Sequence, residues 1–415
     1  MKDSLASQFR LHHLISLLEG YDQERSPIDC YVSYYFRQNK ALGSKDRAYI
    51  SEEVYRLVRW RDLADYVLQK EGRQLSWEER RAVLSNEEIE RLQLRQDIPL
   101  HTKVSMPLEL FRALCCSWGE EKATQLALAS NTQAPTCVRV NASKISRDEL
   151  LSRWQKQGYL VEPASESASG ICFKKKIHFF SLQEFSDGLF EVQDEASQLV
   201  AALCTAAQGS WVLDFCSGSG GKTLAFAPLL QGTGQIFLHD IRKQALVEAK
   251  KRLKRAGIQN AQLVHSSDLQ RLRSLKKKMD WVFVDAPCSG TGTLRRNPDM
   301  KWKFSDEMLE RIVSEQRVIF EQALSYVKPC GHIVYATCSI LRQENHEQVE
   351  HFLKTYPIEQ VGPCFESIPE PEKKDGFFAC VFRKKPAPQP LLVKKAYDEQ
   401  TSSCSFVTSS PFECC

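Results

Sequence analysis

The chain has 415 residues, 42% hydrophobic and 26% charged, the balance of a soluble globular protein built from two or three domains. No run nears the roughly 20 apolar residues that cross a bilayer, and Met1-Lys2-Asp3-Ser4-Leu5-Ala6-Ser7 lacks the apolar stretch of a signal peptide, so a cytoplasmic location is expected. A net charge of +4 excludes a chain that is basic throughout; fifteen cysteines, odd in number and without a Cys-x-x-Cys pair, argue against a disulfide framework or a metal site and for mostly buried thiols.

Residues 1–100 read as helical. Leu11, Leu14, Leu17 and Leu18 recur at helical spacing, and a further helix follows Leu42-Gly43-Ser44-Lys45-Asp46-Arg47 with Ile50, Val54, Leu57 and Val58 on one face. The charged stretch 71–98 reads as exposed helices and turns, and nothing in this region carries chemistry. Residues 101–185 read as connecting helices and a small α/β RNA-binding unit. Its strand is 136–140, its helix is capped by Ser146 with Glu149 completing the box, and a strand pair is expected near 171–180.

Residues 186–385 alternate strands (211–215, 235–239, 261–265, 281–284, 332–335, 377–382) with helices (223–230, 243–256, 307–327, 343–356). That order predicts a doubly wound, mostly parallel Rossmann-like α/β sheet, with ligands beyond the strands' carboxyl ends. Residues 386–415 read as a flexible tail. The basic run from Arg242 to Lys278 reads first as solvated helix faces.

After the first strand of this sheet comes Asp214-Phe215-Cys216-Ser217-Gly218-Ser219-Gly220-Gly221-Lys222-Thr223, a glycine turn that lets backbone approach a ligand. Gly221-Lys222-Thr223 imitates the end of a phosphate-binding loop, but the first glycine of that pattern would fall on Cys216. Asp240 closes the second strand, where an acid suits the hydroxyls of a ribose; Asp268 follows the third.

Two cysteines lie just past strand ends, in Asp285-Ala286-Pro287-Cys288-Ser289-Gly290-Thr291-Gly292 and in Ala336-Thr337-Cys338-Ser339. A thiolate at such a rim suits covalent activation of a pyrimidine. Carbon 5 of cytosine is too weak a nucleophile for a sulfonium methyl, and thiolate addition at carbon 6 turns the ring into a reactive enamine. The thiol must be helped to ionise. A protonated Asp285, kept neutral by burial, would suit the charge that develops near N3. A second thiol has a task in removing the carbon 5 proton. The chemistry leaves open which cysteine attacks.

These segments resemble the Sun (Fmu) family of RNA cytosine-5 methyltransferases, with its D-x-C-x-x-x-G-G-K-T turn, D-A-P-C-S-G-x-G and T-C-S motifs. Val192-Gln193-Asp194-Glu195-Ala196-Ser197, Arg295-Arg296-Asn297-Pro298-Asp299, Lys301-Trp302 and Asp375-Gly376-Phe377-Phe378 agree as well, over about residues 105–385. The resemblance implies S-adenosyl-L-methionine as cofactor and Cys338 as nucleophile, with Cys288 resolving the covalent intermediate. It also implies cofactor contacts from Cys216, Ser217, Gly218, Ser219, Gly220, Gly221, Lys222, Asp240, Asp268 and Asp285. The chain departs from the family in having Ser217-Gly218-Ser219 where Ala-Ala-Pro is usual, and Ala245 where an arginine is common.

Leu42-Gly43, Asp46-Arg47 and Tyr55-Arg56-Leu57-Val58-Arg59-Trp60 resemble the NusB-type RNA-binding domain that precedes this catalytic domain in bacterial small-subunit rRNA methyltransferases. That implies 16S ribosomal RNA rather than transfer RNA as partner, acting on an unstacked cytosine, with no membrane or metal and a monomeric enzyme. Arg295, Arg296, Lys301 and Trp302 then become candidate RNA contacts. A transfer RNA cytosine-5 methyltransferase, a catalytically silent RNA-binding assembly factor and a DNA cytosine methyltransferase using Cys288 are the competing readings.

Overall fold

The computed structural model describes residues 2–24, 26–175 and 177–386. The expected tail lies outside the described residues from 387 onward.

Nine helices, from Lys2–Asp22 to Glu120–Ser130, precede the first described strand. Leu14, Leu17, Leu18, Ile50, Val54, Leu57 and Val58, the residues that mark the faces in the sequence, are all buried in one apolar cluster. The Asp46 carboxylate accepts from the Gly43 N–H at 3.2 Å and from Arg10 Nε at 2.8 Å. It therefore fixes the start of the helix Ser44–Arg59.

A four-stranded antiparallel sheet follows, ordered β2-β3-β1-β4: β1 Thr136–Val140, β2 Val161–Pro163, β3 Gly170–Phe173 and β4 Phe190–Val192. Two expectations change here. Of the pair expected near 171–180 only β3 lies there; it pairs back to β2, and Phe179–Ser181 forms a 3₁₀ turn. The small unit also reaches past 185. Its fourth strand is held by the buried Phe190 ring, 5.2 Å from that of Trp154.

The large sheet is ordered β10-β12-β9-β8-β5-β6-β7, with β5 Trp211–Asp214, β6 Gln235–Asp240, β7 Ala261–His265, β8 Met279–Asp285, β9 Val327–Thr337, β10 Ile358–Gln360 and β12 Phe377–Lys384; β11 Phe365–Ser367 pairs with β12. The pairs among β5, β6, β7, β8 and β9 are parallel, and β12 enters antiparallel beside β9. Apolar clusters fill both faces, as a parallel sheet requires. The order reverses between β5 and β8, so the crevice opens at their carboxyl ends.

Cys137 and Cys172, register partners on β1 and β3, form a disulfide. Of the free cysteines among the described residues only Cys204 and Cys380 are buried, so the expectation of mostly buried, unbonded thiols is corrected. Among the described residues no helix is long and apolar enough to cross a membrane.

Candidate active site

Four strand ends build the crevice, a cleft of about 910 Å³. β5 delivers the glycine turn. Gly218 (φ +52°) and Gly220 (φ +77°) take left-handed conformations that side chains resist. A Cβ on Gly220 would meet Leu238 and Ala249, so this glycine serves the packing of turn against sheet and helix; it does not line the cleft. Cys216, Ser217, Gly218, Ser219, Gly221 and Lys222 do line it.

The turn is braced from behind. Arg252 donates to Ser219 O at 3.1 Å and Ser219 Oγ at 2.6 Å, and fully buried Arg139 donates to Gly221 O at 3.1 Å. Ser219, one of the departures from the family turn, thus gains a partner of its own. Ser217 Oγ is buried without one. Asp240 accepts from Gly218 N at 2.8 Å and from the Arg242 backbone at 2.8 Å, with the exposed Arg242 side chain folded over it. Those bonds hold its carboxyl below the usual range despite burial.

A close-approach turn, an orphaned hydroxyl and a strand-end acid fit a nucleoside cofactor. Ser217, Lys222 and Asp240 could hold it. Asp268 lies outside the residues lining this cleft; exposed, it caps the helix Leu269–Leu275 by accepting from Arg271 N at 3.0 Å.

β8 and β9 lie side by side with Asp285 opposite Ala336. This register brings the two cysteine motifs together, with Cys288 Sγ 3.2 Å from Cys338 Sγ and the Cys338 N–H 3.3 Å from Cys288 Sγ. Lys222 reaches across from the turn to form an ion pair with Asp285. Burial opposes charge on Lys222, but Asp285, then Cys338 and Asp214, outweigh it and hold the ammonium above the ordinary lysine value.

Asp285 is only partly buried, its side chain 34% exposed, and it faces the Lys222 ammonium; Arg242 and Arg252 also line the cleft. Burial pushes Asp214 up to about 7 against the bond from Thr223 Oγ1 at 2.6 Å, and burial pushes the Cys216 thiol well up, leaving it protonated.

The sequence-based RNA contacts are corrected. Arg295 is fully buried, paired with Asp375 at 2.7 Å and donating to Glu370 O and Lys373 O at 2.7 Å each. Lys301, also fully buried, donates to Arg59 O and Ser105 O at 3.2 Å each and to Asn131 Oδ1. Trp302 donates to Val58 O at 3.0 Å and packs on the helical core. Arg296 bonds Asp375, Asp194 and Pro135 O. Lys301 and Trp302 join the catalytic domain to the helical layer, while Arg295 is spent inside the domain and Arg296, partly exposed, joins its Asp375 to Asp194.

Sequence reading missed Glu344 and Asn345, which lie under both cysteine loops. Their signal, two polar residues shortly after Thr-Cys-Ser, looked like the start of a helix.

The family model for 16S rRNA methyltransferase RsmB/F matches residues 201–383, and a model for the ferredoxin-like domain of that family matches residues 106–179. A protein named ribosomal RNA small subunit methyltransferase B from Photorhabdus laumondii is 34% identical over 264 residues, 61% of each chain. One of the same name from Vibrio vulnificus is 32% identical over 311 residues, 73% of this chain and 72% of that one. The chain spans 61%, 62% and 64% of the length of three such curated relatives. A solved methyltransferase homolog protein from Pyrococcus horikoshii superposes with a TM-score of 0.61 at 25% identity, over 72% of this chain and all of its own. The chain belongs to the 16S rRNA methyltransferase RsmB/F family.

Proposed function

We propose that this protein transfers a methyl group from S-adenosylmethionine to carbon 5 of a cytosine in RNA, with 16S ribosomal RNA as substrate. The observation that carries the reading is the pair of thiols 3.2 Å apart, in the same cleft as a glycine turn and the Lys222–Asp285 ion pair. S-adenosylmethionine supplies the electrophilic methyl group when bound. Cys338 is the nucleophile. Its thiolate adds to carbon 6, and the electron pair displaced into the ring makes carbon 5 reactive.

Lys222, buried and charged, stabilises the negative charge that this addition builds. The Asp285 carboxylate keeps the ammonium in place and accepts from the base's N–H groups. Once carbon 5 carries the methyl, its proton leaves to solvent base and the S–C6 electrons return to Cys338. Cys288 assists that elimination. The helical layer serves as the NusB-type RNA-binding part, and the relatives named ribosomal RNA small subunit methyltransferase B favour 16S rRNA.

The test compares wild type, Cys338→Ala and Cys288→Ala on unmodified 16S rRNA with radiolabelled S-adenosylmethionine. Loss of transfer in Cys338→Ala, with an RNA–protein adduct accumulating in Cys288→Ala, is expected. Full activity in Cys338→Ala overturns the nucleophile; activity confined to transfer RNA keeps the chemistry and overturns the substrate.

A further inference from the structure

Two thiols in contact must behave differently if one attacks and the other assists, and nothing in the two motifs distinguishes them: both read Cys-Ser after a strand. The difference lies beneath them. Glu344 is fully buried and accepts four hydrogen bonds, two on each oxygen. Oε1 takes Ser289 N at 2.8 Å and Gln316 Nε2 at 3.0 Å. Oε2 takes Ser289 Oγ and Ser339 Oγ at 2.5 Å each.

Each oxygen thus meets two donor groups. Burial leaves the Glu344 carboxyl with a raised proton affinity, which the two serine hydroxyls, the Ser289 N–H and the Gln316 amide offset only in part. Asn345 completes the grip, accepting from Thr337 Oγ1 at 2.6 Å and donating to Ser339 O at 2.9 Å, on either side of Cys338.

We infer that Glu344 is the positioning residue of the thiol pair: it ties both Cys-Ser loops to one point and places its carboxylate beneath Ser289, next to Cys288, so that Cys288 stays a hydrogen donor to Cys338. This rests on the proposed cysteine chemistry and extends it. In the elimination the S–C6 bond breaks with both electrons going to Cys338 sulfur, while the carbon 5 proton goes to solvent base. Cys288 keeps its own proton throughout, and its S–H stabilises the departing thiolate.

The groups facing the pair agree. Lys222 lies on the Cys338 side, held by Asp285. Cys288 faces Cys338, Glu344 and Tyr335. Its bond to Cys338, burial, the Cys338 charge and Glu344 all push the Cys288 thiol well up. The backbone N–H groups of Cys338 and Gly290 pull the other way. These two neutral N–H dipoles do not outweigh the neighbouring thiol, burial and the carboxylate.

The experiment is alkylation by iodoacetamide across pH 6–10, read cysteine by cysteine by mass spectrometry, without RNA or cofactor. In a Cys338→Ala background, Glu344→Gln should bring the Cys288 midpoint down by about one pH unit or more, while Glu344→Asp, which keeps the charge, should leave it within half a unit. With RNA, Glu344→Gln should accumulate covalent adduct as Cys288→Ala does.

A Cys288 profile that does not move in folded Glu344→Gln overturns the inference. So does a wild type in which Cys288 reacts with the midpoint of an ordinary thiol or a lower one, a measurement that needs no variant to fold. Because the labelling uses no RNA, its outcome is independent of the substrate: shifted thiols in a protein inactive on every RNA would sink the proposed function and leave the role of Glu344 standing.

Discussion

In the proposed mechanism the Lys222 ammonium stabilises the charge that thiolate addition builds on the ring. Asp285 suggested a neutral acid because a carboxyl after an apolar strand looks buried; the ammonium that meets it comes from the glycine turn, far away in sequence. Replacing Lys222 with Met should lower single-turnover methyl transfer by roughly 100-fold or more, the usual cost of losing a group aimed at developing charge. Cofactor affinity, measured by calorimetry, should fall less than tenfold. A variant that binds cofactor poorly but turns over normally would show Lys222 to be only a cofactor ligand.

The pH dependence follows from the same residue. Its folded proton affinity lies above the ordinary lysine value, so its ion pair is intact below about pH 10.5 and is lost only as pH rises through the folded value. Neither Lys222 nor Cys288 loses its proton near neutrality, because both are shifted upward. The turnover rate should therefore rise with pH to a plateau and show no alkaline fall between pH 7 and 9.5. A decline in that window would mean that one of the two protons is mobile.

Among the elements, the loop after β8 is the most constrained. Gly292 donates to Cys338 O at 2.9 Å and accepts from Gly376 N at 2.9 Å, stitching both cysteine loops to the start of β12. A Cβ there would lie 2.1 Å from Gly376 O and 2.9 Å from Cys338 O, both of them backbone atoms that cannot step aside. Gly292→Ala should destabilise the fold by about 2–3 kcal/mol through overpacking and cut methyl transfer disproportionately by displacing Cys338. Equal thermal melting and activity in the variant would show that the stitch is dispensable.

Motifs made this much legible in advance: strand–turn–helix alternation placed six strands of the large sheet, and the two cysteines stood out because each followed a strand. Local pattern could not reveal β4, a three-residue strand recruited to the small sheet by Phe190, or Asp268 serving as a cap. Glu344 was hidden for a related reason. Its meaning depends on two loops that meet only when β8 and β9 pair.

At the scale of the whole molecule, the segment 295–302 changes from a surface to a joint. Its cationic and aromatic residues looked like RNA contacts because charge in a sequence carries no mark of burial. Folding instead sets Lys301 Nζ among three acceptors from the helical layer and the segment that follows it, with the Arg59 guanidinium donating to Arg295 O at 2.7 Å and Tyr21 OH to Asp299 at 2.9 Å. Burial and Arg59 pull Lys301 down to about 7, so its ammonium is held at a cost that only a structural role repays.

Lys301→Met removes three hydrogen bonds and strands Asn131 Oδ1 and two carbonyls, which should cost about 3 kcal/mol of stability. At a temperature where the variant stays folded, RNA affinity should match wild type at every salt concentration. A lysine on a phosphate would instead flatten the slope of log affinity against log salt by about one unit. Measuring binding from 50 to 300 mM salt beside a denaturant melt separates the two: unchanged slope with lowered stability establishes the joint, and a flattened slope in a fully stable protein restores the contact with RNA.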